Sequence, residues 1–391
     1  MRLLLVIGTR PEAIKCFPVV EALRQRAGLD VAVCVSAQHR QILDQVLDLV
    51  GLEPDYDLEV MRRAPTLTDT TCDVLQRLGD VLDRAQPTCV LVQGDTTTTF
   101  AAALAAFYRK IPVAHIEAGL RTHNVLSPWP EEANRRIVSS LADLHFAPTH
   151  SARANLLAER IPSDRIFVTG NTVIDALRAI VQRLDASNCV SPLIEPVLSK
   201  LQSGRRRLIL MTIHRRENWG EGLRGICKAA IGLAARGDVQ IAIPVHPNPN
   251  VRNLIYEELA GRSAISLLAP LDYVSFIDLM RRCHFVLTDS GGVQEEAPAL
   301  NKPVLVLRNT TERPEGVAAG ASKLVGLHPA QIIAAAERLL DNEAEYTKMS
   351  HAPNPFGDGM AAVRIAQILE EATAKPRVPN SIFPMNAAME A

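Results

Sequence analysis

With 391 residues, 47% of them hydrophobic and 22% charged, the chain has the composition of a globular protein and the length of two ordinary domains rather than one core. A formal net charge of −1 supplies no overall field to recruit nucleic acid or an acidic membrane, and no apolar run approaches the roughly 20 residues that span a bilayer. Nucleic-acid and membrane partners are therefore not expected.

The opening MRLLLVIG is short for a signal sequence, and Arg10, Glu12 and Lys15 follow it at once, which points to a cytoplasmic protein. The seven cysteines are scattered from Cys16 to Cys283 with no Cys-x-x-Cys pair. They read as small buried hydrophobes, with neither a disulfide framework nor a zinc site, and no metal is expected.

In chain order, short apolar runs alternate with helical patterns: RLLLVI (2–7), VAVCVS (31–36), CVLV (89–92), PVAHI (112–116), LHFA (144–147) and IFVT (166–169). This is βαβ repetition, and continuous apolar strands separated by helices predict a parallel sheet covered on both faces. A polar stretch at 185–207 reads as a helix and loop. The pattern then restarts with RLILMTI (207–213), VQIAIPV (239–245), AISLLA (264–269), HFVLTD (284–289), PVLVL (303–307) and KLVG (323–326). The fold class is α/β: two Rossmann-like, doubly wound parallel-sheet domains, expected to face each other across a cleft. The expected domains are 1–172, completed by a C-terminal helix near 360–374, then 173–359, then a surface tail at 375–391 with three prolines.

In such sheets ligands bind beyond the C-terminal ends of the strands, and the unusual residues fall there. GTRPEAIK places Arg10 in a turn and Lys15 in the following helix. QGDTTTT ends a strand at Asp95, which is either a helix cap or an acid facing a ligand, with Thr96 to Thr99 supplying a cap and hydroxyls. HIEAGLRT places Glu117 after the next strand, and SPWPEEANRR places Glu131 and Glu132 in a Pro-rich loop before a helix. Asp95, Glu117 and Glu131 are thus expected to converge without assigned partners, their mutual repulsion suiting general acid or base work.

In the second half, TDSGGVQEEAP runs from a strand through Ser290, Gly291 and Gly292 into a helix whose first amides suit a phosphate. Glu296, one turn on, is placed to accept ribose hydroxyls. TERPEG presents Arg313 and TIHRREN presents His214 as donors toward a diphosphate.

Together GTRPEAIK, AQHRQ, QGDTTTT, HIEAGLRT, SPWPEEANRR, TGNTVIDAL, TIHRREN, PVHPNP, TDSGGVQEEAP and TERPEG resemble, in this order and over most of residues 1 to 370, the non-hydrolysing UDP-N-acetylglucosamine 2-epimerases. The resemblance implies a GT-B type fold, UDP-N-acetylglucosamine as substrate, and no cofactor. It implies an isomerase that interconverts UDP-N-acetylglucosamine and UDP-N-acetylmannosamine through UDP elimination and re-addition, supplying a bacterial surface polysaccharide. A homodimer is implied as well.

By the same resemblance Asp95, Glu117, Glu131 and His214 are catalytic. Arg10, Lys15, Phe276, Ser290, Gly291, Gly292, Glu296 and Arg313 match nucleotide-sugar contacts, and Gln38, Gln41, Arg215 and His246 match a second, regulatory substrate site. The chain departs from the family at His123, where glycine is frequent, and at Ala64, where some members carry a regulatory arginine. A GT-B glycosyltransferase, a hydrolysing epimerase and a nucleotide-sugar sensor are the competing readings.

Overall fold

A computed structural model of the chain describes residues 1–36, 47, 51–60, 66–187, 190–201 and 206–374. It divides into two compact units, Met1–Ala176 with Gly357–Ala391, and Leu177–Phe356. Against the expected boundary at 172/173, the chain passes from one unit to the other at 176/177 and returns at 356/357.

The first unit is built on strands β1 (Arg2–Ile7), β2 (Asp30–Val35), β3 (Tyr56–Asp57), β4 (Cys89–Gln93), β5 (Val113–Ile116), β6 (Leu144–Ala147) and β7 (Ile166–Val168). They form one sheet in the order β3-β2-β1-β4-β5-β6-β7, with every pairing parallel. Helices α1 (Arg10–Arg24), α2 (Leu67–Ala85), α3 (Thr97–Tyr108), α4 (Glu131–Leu141) and α5 (His150–Ala158) connect them, and α6 (Thr172–Ser187) follows β7. The apolar run of β4 is buried at every position, as a strand covered on both faces requires. In α3 the alanines 101, 102, 103, 105 and 106 are all buried, their small side chains admitting close neighbours on several faces.

The second unit holds β8 (Arg207–Thr212), β9 (Val239–Pro244), β10 (Ile265–Leu268), β11 (Phe285–Thr288), β12 (Val304–Val306) and β13 (Ser322–Leu324). Their order is β10-β9-β8-β11-β12-β13, again all parallel. The helices are α7 (Glu195–Leu198), α8 (Glu221–Ala234), α9 (Pro249–Leu259), α10 (Tyr273–Arg282), α11 (Gly291–Ala299), α12 (Pro314–Ala318), α13 (Pro329–Asp341) and α14 (Glu343–Ser350). Helix α15 (Ala361–Ala374) belongs to the first unit, where Asp175 of α6 accepts the amides of Ala361 and Ala362.

In each sheet the order reverses beside the first strand of the unit, β1 or β8, which makes both units doubly wound α/β folds. Strand β3 has no counterpart among the expected strands, because two residues are too short to show a period. Cys72 is exposed, against the expectation of uniform burial: it lies on the solvent side of amphipathic α2. The tail at 375–391 and Gln38 and Gln41 lie outside the described residues.

Candidate active site

The register of the first sheet decides which side chains meet. Leu3–Val6 of β1 pair with Cys89–Val92 of β4, and Gln93 pairs with Ile116 of β5. Asp95, two residues past Gln93, and Glu117, one past Ile116, therefore leave neighbouring strands at the same edge.

Glu117 is 8% exposed and takes a left-handed backbone, φ 65°, at a position without glycine. Such a conformation costs on the order of 1–3 kcal/mol and persists where the surroundings over-determine it. Here the surroundings are three donors from three segments: Lys15 Nζ of α1 at 2.6 Å, Asn171 Nδ2 from the loop before α6 at 2.9 Å, and Gln93 Nε2 at the end of β4.

Asp95 is not the cap of α3. Thr96 holds that position, its hydroxyl accepting the amide of Thr99 at 3.2 Å. The Asp95 carboxylate instead accepts Arg135 Nε at 2.7 Å, while Asn134 Nδ2 donates to the Asp95 carbonyl at 2.9 Å. Both partners come from α4, whose first residue is Glu131, so Glu131 and Glu132 open a helix rather than occupy the loop expected for them. Acids in a first turn are favoured by the helix dipole. Glu131 is half-buried, and its carboxylate makes no hydrogen bond among the described residues. Its neighbour Glu132 is fully buried and ties down the preceding loop, accepting the amides of Thr122 and His123 at 3.1 and 3.2 Å. Burial pushes the Glu132 carboxyl up, but those amides and Arg135 outweigh it and hold it below the usual range.

Three mutually repelling acids without partners are thus not what the unit contains: Asp95 faces Arg135 and Glu117 faces Lys15. Arg10 is not in a turn either. It is the first residue of α1, half-buried, with no side-chain partner among the described residues. Beneath it, buried Glu12 accepts the amides of Gly8 and Thr9 at 2.6 and 2.7 Å. His115, fully buried on β5, meets the Gly94 carbonyl through Nε2 at 2.7 Å. Burial pushes this imidazole down to about 4, so it is neutral, with Nε2 carrying the proton.

In the second unit, Thr212 of β8 pairs with Thr288 of β11, which sets Asp289 beside His214. Asp289 is fully buried and lies 3.0 Å from His214 Nδ1. It also accepts the amides of His214 and Arg215 and the side-chain amide of Asn218. Burial raises the Asp289 carboxyl, but the bonds from His214 and the amides bring it below its ordinary value. A carboxylate on Nδ1 fixes the tautomer and leaves Nε2 to act elsewhere. The His246 ring stacks on His214 at 6.0 Å between centroids.

Ser290 precedes α11 without capping it through its side chain, so the amides of Gly291 and Gly292 open the helix. A side chain at Gly291 would stand 3.4 Å from Arg215 Nη2 and 3.7 Å from the Arg313 guanidinium, so glycine there leaves the helix start open between two cations. Each arginine is tethered by an acid: Arg215 by Glu312 at 2.5 Å, Arg313 by buried Glu295. Burial alone would raise the Glu312 carboxyl, yet Arg215, Arg308 and Arg313 bring it down to about 2. Buried Glu296 accepts the Tyr273 hydroxyl at 2.8 Å, and half-buried Phe276 lies on the same helix as Tyr273.

The profile of the UDP-N-acetylglucosamine 2-epimerase family matches residues 21–370. The UDP-N-acetylglucosamine 2-epimerase of Salmonella typhimurium is 50% identical over 371 residues, covering 95% of this chain and 98% of that protein. The crystal structure of UDP-GlcNAc 2-epimerase from Neisseria meningitidis bound to UDP-GlcNAc superposes with a TM-score of 0.86 at 48% identity, over 95% of this chain and 100% of that one. The Methanocaldococcus jannaschii UDP-GlcNAc 2-epimerase in complex with UDP-GlcNAc and UDP gives 0.78 at 34% identity, over 95% and 100%.

The chain belongs to the UDP-N-acetylglucosamine 2-epimerase family.

In this epimerase-family chain the expected site residues fall into two groups. Arg10, Lys15, Asp95, Glu117 and Glu131 lie in the first unit. There the Lys15 ammonium donates to Glu117, one of the catalytic candidates. His214, Arg215, His246, Phe276, Ser290, Gly291, Gly292, Glu296 and Arg313 lie in the second. Arg215 and His246, matched to a regulatory site, sit directly against Gly291 and His214. Sequence reasoning missed Glu12, Asn171, Asp289, Glu295 and Glu312. The available signal was their place: each lies inside one of the motifs, and Asp289, Glu295 and Glu312 stand next to a residue already singled out. His123 has φ 62°, a left-handed conformation that glycine adopts freely, which is the physical sense of the family's frequent glycine there.

Proposed function

We propose that the chain epimerises UDP-N-acetylglucosamine at carbon 2, reversibly yielding UDP-N-acetylmannosamine. The observation that carries this reading is the pair of neighbouring strand ends bearing Asp95 and Glu117, each carboxylate held by a cation. A helix cap or a binding surface has no need of that arrangement. Family membership and the UDP-GlcNAc held by the Neisseria and Methanocaldococcus proteins support the same substrate.

The carbon 2 hydrogen has no carbonyl beside it, so it is removed as the leaving group departs. A carboxylate among Asp95, Glu117 and Glu131 takes the proton, the electron pair forms the carbon 1–carbon 2 double bond, and the bond from carbon 1 to the diphosphate oxygen breaks with its electrons staying on UDP. The products are 2-acetamidoglucal and UDP. Re-addition of UDP at carbon 1, with a proton delivered to the other face of carbon 2, completes the inversion. Arg10, His214, Arg313 and the first amides of α11 stabilise the charge that grows on the diphosphate. Phe276 and Glu296 hold the nucleoside end. Arg215 and His246 contact a second substrate molecule, and the chain works as a homodimer.

Incubation with UDP-N-acetylglucosamine alone tests the reading. UDP-N-acetylmannosamine as the product supports it. Free N-acetylmannosamine with UDP would indicate a hydrolysing enzyme, and unchanged substrate a transferase or a sensor.

A further inference from the structure

Two loops of the first unit end on the same buried carboxylate. Glu12, 3% exposed, receives the amides of Gly8 and Thr9 on Oε2, at 2.6 and 2.7 Å. Its Oε1 receives the Thr96 hydroxyl at 2.5 Å and lies 3.0 Å from the Thr99 hydroxyl. Thr9 directly precedes Arg10, and Thr96 directly follows Asp95. The fit beneath is close: a side chain at Gly8 would stand 2.4 Å from the Thr98 hydroxyl. Thr99 also donates to the Gln93 carbonyl at 2.7 Å, and Gln93 holds Glu117.

We infer that Glu12 is a positioning residue for the reaction, a strut that sets the turn at Gly8 and Thr9, just before Arg10, against the Asp95 loop. It touches no reacting atom. The inference rests on the functional reading above, in which Arg10 meets the diphosphate and Asp95 the sugar. A glutamate is required by reach, since both oxygens are used and each serves a different strand end. Aspartate keeps the charge but is one methylene shorter and cannot hold both loops. Glutamine loses the charge but keeps the span, with its carbonyl on the Gly8 and Thr9 amides and its NH₂ donating to the two threonine oxygens. A displacement of about 1 Å at a reacting group is enough to cost on the order of 100-fold in rate.

The test compares Glu12→Gln, Glu12→Asp and Glu12→Ala with the parent chain in steady-state epimerisation, with circular dichroism as the check of folding. If the parent itself does not epimerise, the functional reading fails, and Glu12 is not what failed. Given parental turnover, a strut predicts that Glu12→Gln stays within about fivefold in kcat, while Glu12→Asp and Glu12→Ala fall about 10- to 100-fold in kcat with less than threefold change in KM. Parental kcat in folded Glu12→Asp overturns the inference. So does a Glu12→Gln as inactive as Glu12→Ala, which would assign the charge or the proton the role instead. Should the Asp and Ala variants not fold, Thr96→Gly removes the hydroxyl that donates to Glu12, while glycine still serves as the cap of α3. A kcat lowered about fivefold or more supports the strut, and an unchanged kcat overturns it.

Discussion

Lys15 Nζ lies 2.6 Å from Glu117 Oε1, with 17% and 6% of the two side chains exposed. The pair joins the first helix of the first unit to the end of its fifth strand. A cation held against a buried carboxylate stabilises the charge that a proton-abstracting group must carry. Lys15→Met should lower kcat by about 100-fold while UDP affinity changes less than about threefold. Steady-state kinetics with calorimetry of UDP binding checks this. Weakened UDP binding with kcat preserved would return Lys15 to the nucleotide contacts that family resemblance implies for it.

The two arginines assigned to the diphosphate should behave differently from Lys15. Arg10→Ala and Arg313→Ala should each weaken UDP binding by about 1.5–3 kcal/mol, the worth of one charged hydrogen bond, with the fold intact by circular dichroism. Calorimetry on the folded variants decides, and unchanged affinity in both would remove them from the site.

Asp289 holds the Nδ1 side of His214, so the two should act as a unit. His214→Gln and Asp289→Asn are expected to lower kcat by similar factors, about 10- to 100-fold. The double variant should be no worse than the poorer single one, because both remove one function. Additive losses in that cycle would separate them.

His115 and His145 face each other in the register of β5 and β6, both fully buried, and neither ring nitrogen of His145 has a hydrogen-bond partner among the described residues. Burial pushes His145 down to about 3, with the nearby His115 adding to the effect. The unfolded imidazole titrates near 6.5. A folded value below the unfolded one means that the unfolded chain binds more protons throughout the interval. Stability is therefore full above about pH 6.5 and falls as the pH drops toward 3. His145→Phe removes this liability and an unpaired polar group together. Urea denaturation should give a midpoint no lower than the parent's at pH 7 and clearly higher at pH 5. A parallel pH dependence in variant and parent would contradict the assignment.

Much of this was legible in the sequence. Among the described residues, twelve of the thirteen strands, the doubly wound class and the strand-end placement of Asp95, Glu117, His214 and Ser290 follow from apolar runs bounded by glycine and polar residues. What escaped is what a period cannot carry. Strand β3 is two residues long and sits at the sheet edge. The partners of the acids are set by contacts between segments far apart in the chain. Lys15 and Glu117 are separated by 102 positions, His214 and Asp289 by 75. The boundary between loop and helix at Glu131 was missed because the prolines of SPWP read as loop, whereas Pro130 immediately precedes the first helical turn.

Elimination and re-addition of UDP require a solvent-exchangeable carboxylate to return the proton to carbon 2. Turnover of UDP-N-acetylglucosamine in heavy water, with the product examined by proton NMR and mass spectrometry, tests this most directly. One deuterium is expected at carbon 2 of the UDP-N-acetylmannosamine formed, with loss of both exchange and epimerisation when the carboxylate needed for elimination is replaced by its amide. Epimerised product that retains hydrogen at carbon 2 would contradict the mechanism.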